Sequence, residues 1–168
     1  MTWIKQAAQR PSLPVMDTAD KDLLLAHIGR HVALEPGTLD ALVARMRPRT
    51  VKRGQYLVHA GGFDRNTYFV REGCLRSYFI DRDGVEHVVQ FPHEGWWAGD
   101  LRSFLLQQPA QLNLQAVTDC RVLELSLSDL AELYDRSPML ERYMRILAQR
   151  SLVSFQDRMV QVFSFTAG

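Results

Sequence analysis

Between Thr18 and Val32 apolar residues recur at helical spacing, with Leu23, Leu24, Leu25 and Ile28 behind an aspartate-rich start that suits the positive end of a helix dipole. This predicts a first helix. The EPGT stretch at 35–38 interrupts it, and Leu39, Leu42, Val43 and Met46 mark a second, short helix closed by Pro48. After Arg47 the period changes. The segments TVKRGQYLVHAGG and NTYFVREGCLRSYFIDRDGVEHVVQF are rich in Thr, Val, Tyr and Phe and punctuated by Gly or Asp, as strands and turns are. Asp83 and Gly84 between two strand-like runs form a hairpin signal. With QLNLQAV and CRVLELS, the middle of the chain predicts roughly eight short strands, the pattern of a sandwich, jelly roll or small barrel.

From Ser126 the helical period returns, with Ser128 and Asp129 expected to cap a helix running through Tyr134. Ser137 and Pro138 then open an uninterrupted segment to about Phe163, proline being suited to a first helical position. Its apolar residues do not share one stripe. Leu140, Tyr143, Met144 and Leu147 lie on one face, and Leu152, Phe155, Met159 and Phe163 about a quarter turn further round, while Met139, Ile146, Val153 and Val160 follow a heptad spacing. A helix with several stripes needs several partners. One part is expected to pack on the strands and another on a second helix, its copy in a homodimer; burial on two sides within one chain gives the same pattern.

The 168 residues suffice for one domain with a real core. Lys and Arg number 20 against 19 Asp and Glu, so no basic tail advertises nucleic acid, and DNA binding would need a local patch. The N-terminus, MTWIKQAAQRPSLPVM, lacks the apolar stretch of a secretory signal, and no run of about 18 apolar residues occurs, so the expectation is a soluble, cytoplasmic chain without membrane contact. Cys74 and Cys120 stand far apart inside apolar, strand-like runs and read as buried free thiols in preference to a disulfide or redox pair. Two cysteines also cannot supply the ligands of an iron–sulfur cluster.

Two helices, a β-rich middle carrying YFVREGCLRSYFIDRDGVEHVVQFPHEGWWAGDL, and a long helix occur here in an order that resembles the cyclic-nucleotide-binding-like (cNMP-binding) sensor domain of Crp/Fnr-type transcription regulators. VKRGQYLVHAGG is similar to the family's opening strands with their glycine-bounded turn, TYFVREGCLR to the strand and turn that follow, and GDLRSF to the helix start of the phosphate cassette. The similarity covers about residues 20–163. It implies an α+β fold: a β-roll or jelly roll (double-stranded β-helix) with flanking N-terminal helices and a long C-terminal dimerisation helix. The organisation it implies is an N-terminal extension over 1–17, the roll domain over 18–136 and the long helix over 137–168. The family's helix-turn-helix follows that helix, and this chain stops at FSFTAG, so the DNA-binding domain is expected to be absent from it.

In the family the ligand is a cyclic phosphate inside the roll, held by backbone N–H groups at a helix start, one arginine on the phosphate and a glutamate on the ribose. Carried over, the resemblance gives Gly99 the close backbone approach, Leu101, Arg102 and Ser103 the helix-start amides, and Asp100 the glutamate's place with one methylene less. With Ala116 laid on the small residue that ends the cassette, Pro109, Ala110 and Gln111 fall where the phosphate arginine and its hydroxyl neighbour belong. The arginine is missing. A buried phosphate without a paired cation costs several kcal/mol, about what an uncompensated buried charge costs, which argues against a cyclic nucleotide. Arg102 turning inward or Arg76 reaching from a neighbouring strand would change this; as solvated surface residues they would not. Gln107, Gln108, Gln111, Asn113 and Gln115 bring amides instead of charge, and Gln111, Asn113 and Gln115 share one face of a strand. An amide-lined pocket for a neutral or weakly charged ligand and ordinary solvent exposure both fit that alternation. Trp96 and Trp97 are adjacent, so one is expected inside the roll and the other outside, under the long helix.

An enzyme of the cupin type is the rival for a β-roll, but His59, His87 and His93 lack the spacing that converges imidazoles on a metal. No nucleophile set has a local signature either, so the chain is read as neither an enzyme nor a metal protein. The function implied is a regulatory sensor whose effector, of unknown identity, repositions the dimer helix and so an attached DNA-binding region outside this chain. The residues assigned to that effector are Gly99, Asp100, Leu101, Arg102, Ser103, Gln111, Asn113 and Arg76, and those assigned to the dimer helix are Met139, Ile146, Val153 and Val160. The alternative is a degenerate, ligand-free roll acting as a dimerisation or protein-interaction module.

Overall fold

The computed structural model describes residues 16–165. Residues 1–15 of the expected N-terminal extension, and 166–168, lie outside the described residues. Helix α1 (Thr18–Gly29) starts where Asp17 accepts from the Asp20 backbone N–H at 2.8 Å and Asp20 reaches back to the Asp17 N–H at 3.4 Å, a reciprocal cap. Helix α1 already ends at Gly29, with Arg30 as its cap, so the EPGT stretch does not terminate it but opens α2 (Pro36–Arg45), with Pro36 in the first turn. Eight strands follow, β1 (Arg47–Val51), β2 (Tyr56–Val58), β3 (Asn66–Glu72), β4 (Leu75–Ile80), β5 (Glu86–Gln90), β6 (Trp97–Ala98), β7 (Asn113–Ala116) and β8 (Cys120–Ser126). A six-residue helix α3 (Leu101–Leu106) interrupts them, and α4 (Leu127–Arg136) and the 28-residue α5 (Pro138–Phe165) close the chain.

The strands form two antiparallel four-stranded sheets, β1-β8-β3-β6 and β2-β7-β4-β5. Alternation along each strand sorts residues between two cores. Tyr68, Val70, Leu75, Leu114, Ala116 and Val122 point between the sheets and fill the roll. Phe69, Leu123 and Leu125 point the other way, where Leu24, Ile28, Leu42, Phe104, Leu130, Leu133, Leu140 and Tyr143 cover them. Each fully buried Val, Leu, Ile or Phe among them contributes about 1.5–3 kcal/mol. The hairpin signal at Asp83 and Gly84 is the β4–β5 turn, tied by the Asp81 carboxylate accepting from Asp83 and Val85 N–H at 2.9 Å. Gly73 turns β3 into β4 at φ +90°, and a Cβ there would stand 2.4 Å from the Asp119 carbonyl.

Three expectations change. The cap of α4 is Ser126, not Ser128: β8 runs straight into the helix, and the Ser126 hydroxyl accepts from Asp129 N–H at 3.1 Å, with Asp129 the third helical residue. Trp97 lies under α5 as foreseen, packed on Phe69, but Trp96 does not enter the roll; it is exposed beside His93, and Ala98 faces the interior instead. The heptad set of α5 is divided. Met139 and Ile146 pack against the chain's own helix-side core, whereas Val153 and Val160 are 59% and 60% exposed. Both cysteines are free thiols, Cys120 buried and Cys74 half-buried.

Candidate functional site

The segment from Gly99 to Ala116 leaves β6, forms α3 and returns along β7. At Gly99 φ is +156°, a backbone conformation that favours glycine, whereas a Cβ there would meet the Asn66 carbonyl only at an ordinary contact distance of 3.5 Å. Asp100 caps α3 and is 3% exposed. Its Oδ1 accepts from Ser103 N–H at 2.8 Å and its Oδ2 from Gln111 and Leu112 N–H, each at 2.9 Å. The carboxylate therefore staples the two ends of the segment together, and both oxygens are engaged by backbone. Ser103 is buried, and its hydroxyl accepts from the Asp64 N–H at 2.6 Å, which ties α3 to the loop before β3.

Of Pro109, Ala110 and Gln111, which the resemblance lays over the phosphate arginine and its hydroxyl neighbour, Pro109 and Gln111 are exposed, while Ala110 is 4% exposed and belongs to the apolar roll core; its N–H donates to the Gly62 carbonyl and its carbonyl accepts from Gly61 N–H, both at 2.8 Å. Neither Arg76 nor Arg102 takes the arginine's place. Arg76 pairs across the sheet with Gln115, on the face opposite Leu75 and Ala116, and so points away from the roll interior. There it donates to Glu86 at 2.7 Å and Gln115 at 2.9 Å and lies over the Tyr78 ring at 4.2 Å. Leu101, Arg102 and Gln111 have exposed side chains. Asn113 is buried on the outward face and accepts from Ala60 N–H at 3.0 Å. The structure thus brings Gly99, Asp100, Ser103 and the Gln111 backbone together and leaves Arg76, Arg102 and the amide side chains outside the roll.

The strand alternation that turns Tyr68 inward also identifies a polar pair not singled out above. The Tyr68 hydroxyl donates to Asp64 Oδ1 at 3.2 Å, where Asn66 N–H also donates at 3.2 Å. Asp64 Oδ2 is buried without a hydrogen-bond partner. Burial pushes the Asp64 carboxyl above the usual carboxylate range, against the hydrogen bonds from Asn66 and Tyr68. Asp64 lies in a glycine-flanked turn, GGFDRN, which hid it from a pattern of strands and helices.

Elsewhere, the histidines of the cupin alternative are dispersed: His59 stacks on Tyr56, His87 pairs with Asp81 at 2.6 Å, and His93 lies against Trp96. Among the described residues no group of three or more His, Cys, Asp or Glu is placed to hold a metal ion, and no helix is long and apolar enough to cross a membrane. A cavity of about 160 Å³ opens between α1 and the outer face of the first sheet, lined by Asp20, Arg71 and Arg121 among others. Its arginines are paired, Arg71 and Arg121 with Asp17 and Asp20, and Arg49 with Glu124.

The profile of the family described as cyclic nucleotide-binding domain matches residues 48–137. The chain is 29% identical over 151 residues to the transcriptional activator protein Anr of Pseudomonas protegens, covering 88% of this chain and 60% of that protein. It is 30% identical over 123 residues to the fumarate and nitrate reduction regulatory protein of Yersinia pestis, covering 71% and 46%. The chain spans about half the length of the curated relatives it matches. The catabolite activator protein of Thermus thermophilus superposes with a TM-score of 0.69 at 22% identity, covering 83% of this chain and 63% of that one. A cyclic nucleotide-binding domain from Methylobacillus flagellatus gives 0.74 at 14% identity, covering 84% and 83%. At those identities the likeness is one of fold.

Proposed function

We propose, on the premise that this chain belongs to the cyclic nucleotide-binding domain family and within it to the Crp/Fnr-type regulators, that it is the regulatory portion of a transcription regulator whose output is the placement of α5. The relatives it matches are regulators rather than enzymes. The observation that carries the reading is the division of α5. Its first turns are fixed on the roll's outer sheet by Leu140 and Tyr143, at most 1% exposed, while Leu152, Val153, Phe155 and Val160 further along are at least half exposed. A helix held at one end by the roll and apolar at the other suits a homodimer whose geometry the roll controls. The protein acts in the cytoplasm, and DNA is contacted through the part of the relatives' length that this chain does not match.

An effector in the roll would not be gripped through a cyclic phosphate, because Pro109, Ala110 and Gln111 bring no cation where the family has its arginine and Asp100 is engaged by backbone. Tyr68 and Asp64 suit a small, hydrogen-bonding molecule that donates to the buried carboxyl. A second reading, the ligand-free roll used as a dimer scaffold, is favoured by the close filling of the interior with apolar side chains. Both readings share the dimer. Sedimentation velocity at micromolar concentration should show a dimer, and Val153→Asp combined with Val160→Asp should give a folded monomer. A monomeric parent chain would overturn the proposal.

A further inference from the structure

Three elements meet at one hydroxyl. Tyr143 on α5 is completely buried, and its oxygen accepts from the Trp97 indole N–H on β6 at 2.8 Å while lying 2.7 Å from Nδ1 of His27 on α1. All three groups are satisfied in one arrangement: Trp97 donates to the Tyr143 oxygen, and the Tyr143 proton goes to an unprotonated Nδ1, with the histidine's proton on Nε2. Phe69 on β3 packs edge-on against His27, 5.5 Å between centroids, and tilted against Trp97 at 5.4 Å, which closes the cluster with apolar surface.

We propose that this trio is a proton-sensitive latch: uncharged His27 fastens the start of α5 to α1 and β6, and protonation of His27 releases it. A proton on Nδ1 makes that nitrogen a donor. The Tyr143 oxygen would then face two N–H donors, and its own proton would have to leave the line to Nδ1, the acceptor it uses in this core. The charged groups around His27 reinforce the effect. Arg30 and His31 lie beside it in the turn that ends α1, the latter with its ring centroid 5.4 Å away, and Arg150 approaches from α5; β3 and β6 pack the uncharged Phe69 and Trp97 against the cluster. Burial first, then these neighbours, hold His27 below the ordinary histidine range, and His31 is held down in the same direction. The unfolded chain therefore binds the proton more tightly. Stability from this site is complete above the ordinary histidine range and is lost as the pH falls through it.

The latch needs no ligand, so it stands whether or not the roll takes an effector. The test follows the Trp97 indole N–H resonance, assigned with Trp97→Phe, together with hydrogen-exchange protection over residues 138–147, corrected for intrinsic rates, from about pH 7.5 to about pH 5.5. The resonance should move with a single-proton transition below the ordinary histidine range. Protection should fall by about tenfold for each unit by which His27 is depressed. His27→Gln, which keeps an acceptor without titrating, should abolish the transition, and His31→Gln should leave it in place. An unchanged transition in His27→Gln, or none in the parent chain, would overturn the proposal. Should His27→Gln fail to fold, His27→Asn, which also removes the titrating ring, reads the same point, and a transition that survives it counts against the latch.

Discussion

At the scale of single residues, Asp100 carries the contrast with a nucleotide site. A carboxylate one methylene shorter than glutamate reaches the backbone N–H groups on both sides of its own segment, at 2.8 to 2.9 Å, and closes that segment without an anion. Removing it leaves a helix uncapped and three N–H groups short of an acceptor. Asp100→Ala should cost about 2–4 kcal/mol in urea denaturation, and a loss below about 0.5 kcal/mol, the scatter of ordinary surface changes, would show the staple to be incidental. The sequence announced Asp100 as a site residue through its place after Gly99, but not what it does. Its partners at Gln111 and Leu112 lie across an intervening helix, and hydrogen bonds of that span leave no local pattern. The missing arginine was legible for a different reason: its absence from Pro109, Ala110 and Gln111 is visible in a string of letters, and the structure adds that Ala110 is part of the core.

At the scale of elements, periodicity located the helices and the hairpin because each depends on neighbours in the chain. The β4–β5 turn rests on Asp81 and Gly84, and α5 on an unbroken run after Pro138. What periodicity could not resolve was which stripe of α5 meets which partner, since Met139, Ile146, Val153 and Val160 share one spacing but only the first two face the chain's own core. Trp96 was misplaced for a related reason. β6 is only two residues long, Trp97 and Ala98, so alternation does not extend back to it. The division of α5 has a measurable consequence in a monomeric background such as the Val153→Asp, Val160→Asp variant. Leu140→Ala should lose about 2–5 kcal/mol there, as buried truncations do, while Leu152→Ala should change stability by less than about 0.5 kcal/mol. Equal losses would mean that both halves of the helix are packed within one chain.

For the whole molecule, the two sheets enclose a core of their own, and the outer face of one sheet supports every helix from α1 to α5. The first turns of α5 sit on that face, so a change inside the roll that shifts Phe69 or Trp97 is felt at Tyr143 without a further intermediary. Family membership brings the expectation of a cyclic nucleotide; the filled interior, Ala110 and the engaged Asp100 oppose it. Thermal unfolding of the chain with cyclic AMP or cyclic GMP at about 1 mM decides between them, since ligand at a hundred times its Kd adds about 2.7 kcal/mol, several degrees in Tm for a domain of this size. The predicted result is an unchanged Tm with both nucleotides. A rise of several degrees with either one, reproduced as saturable binding by calorimetry, would contradict the assignment of this roll as one that does not grip a cyclic phosphate.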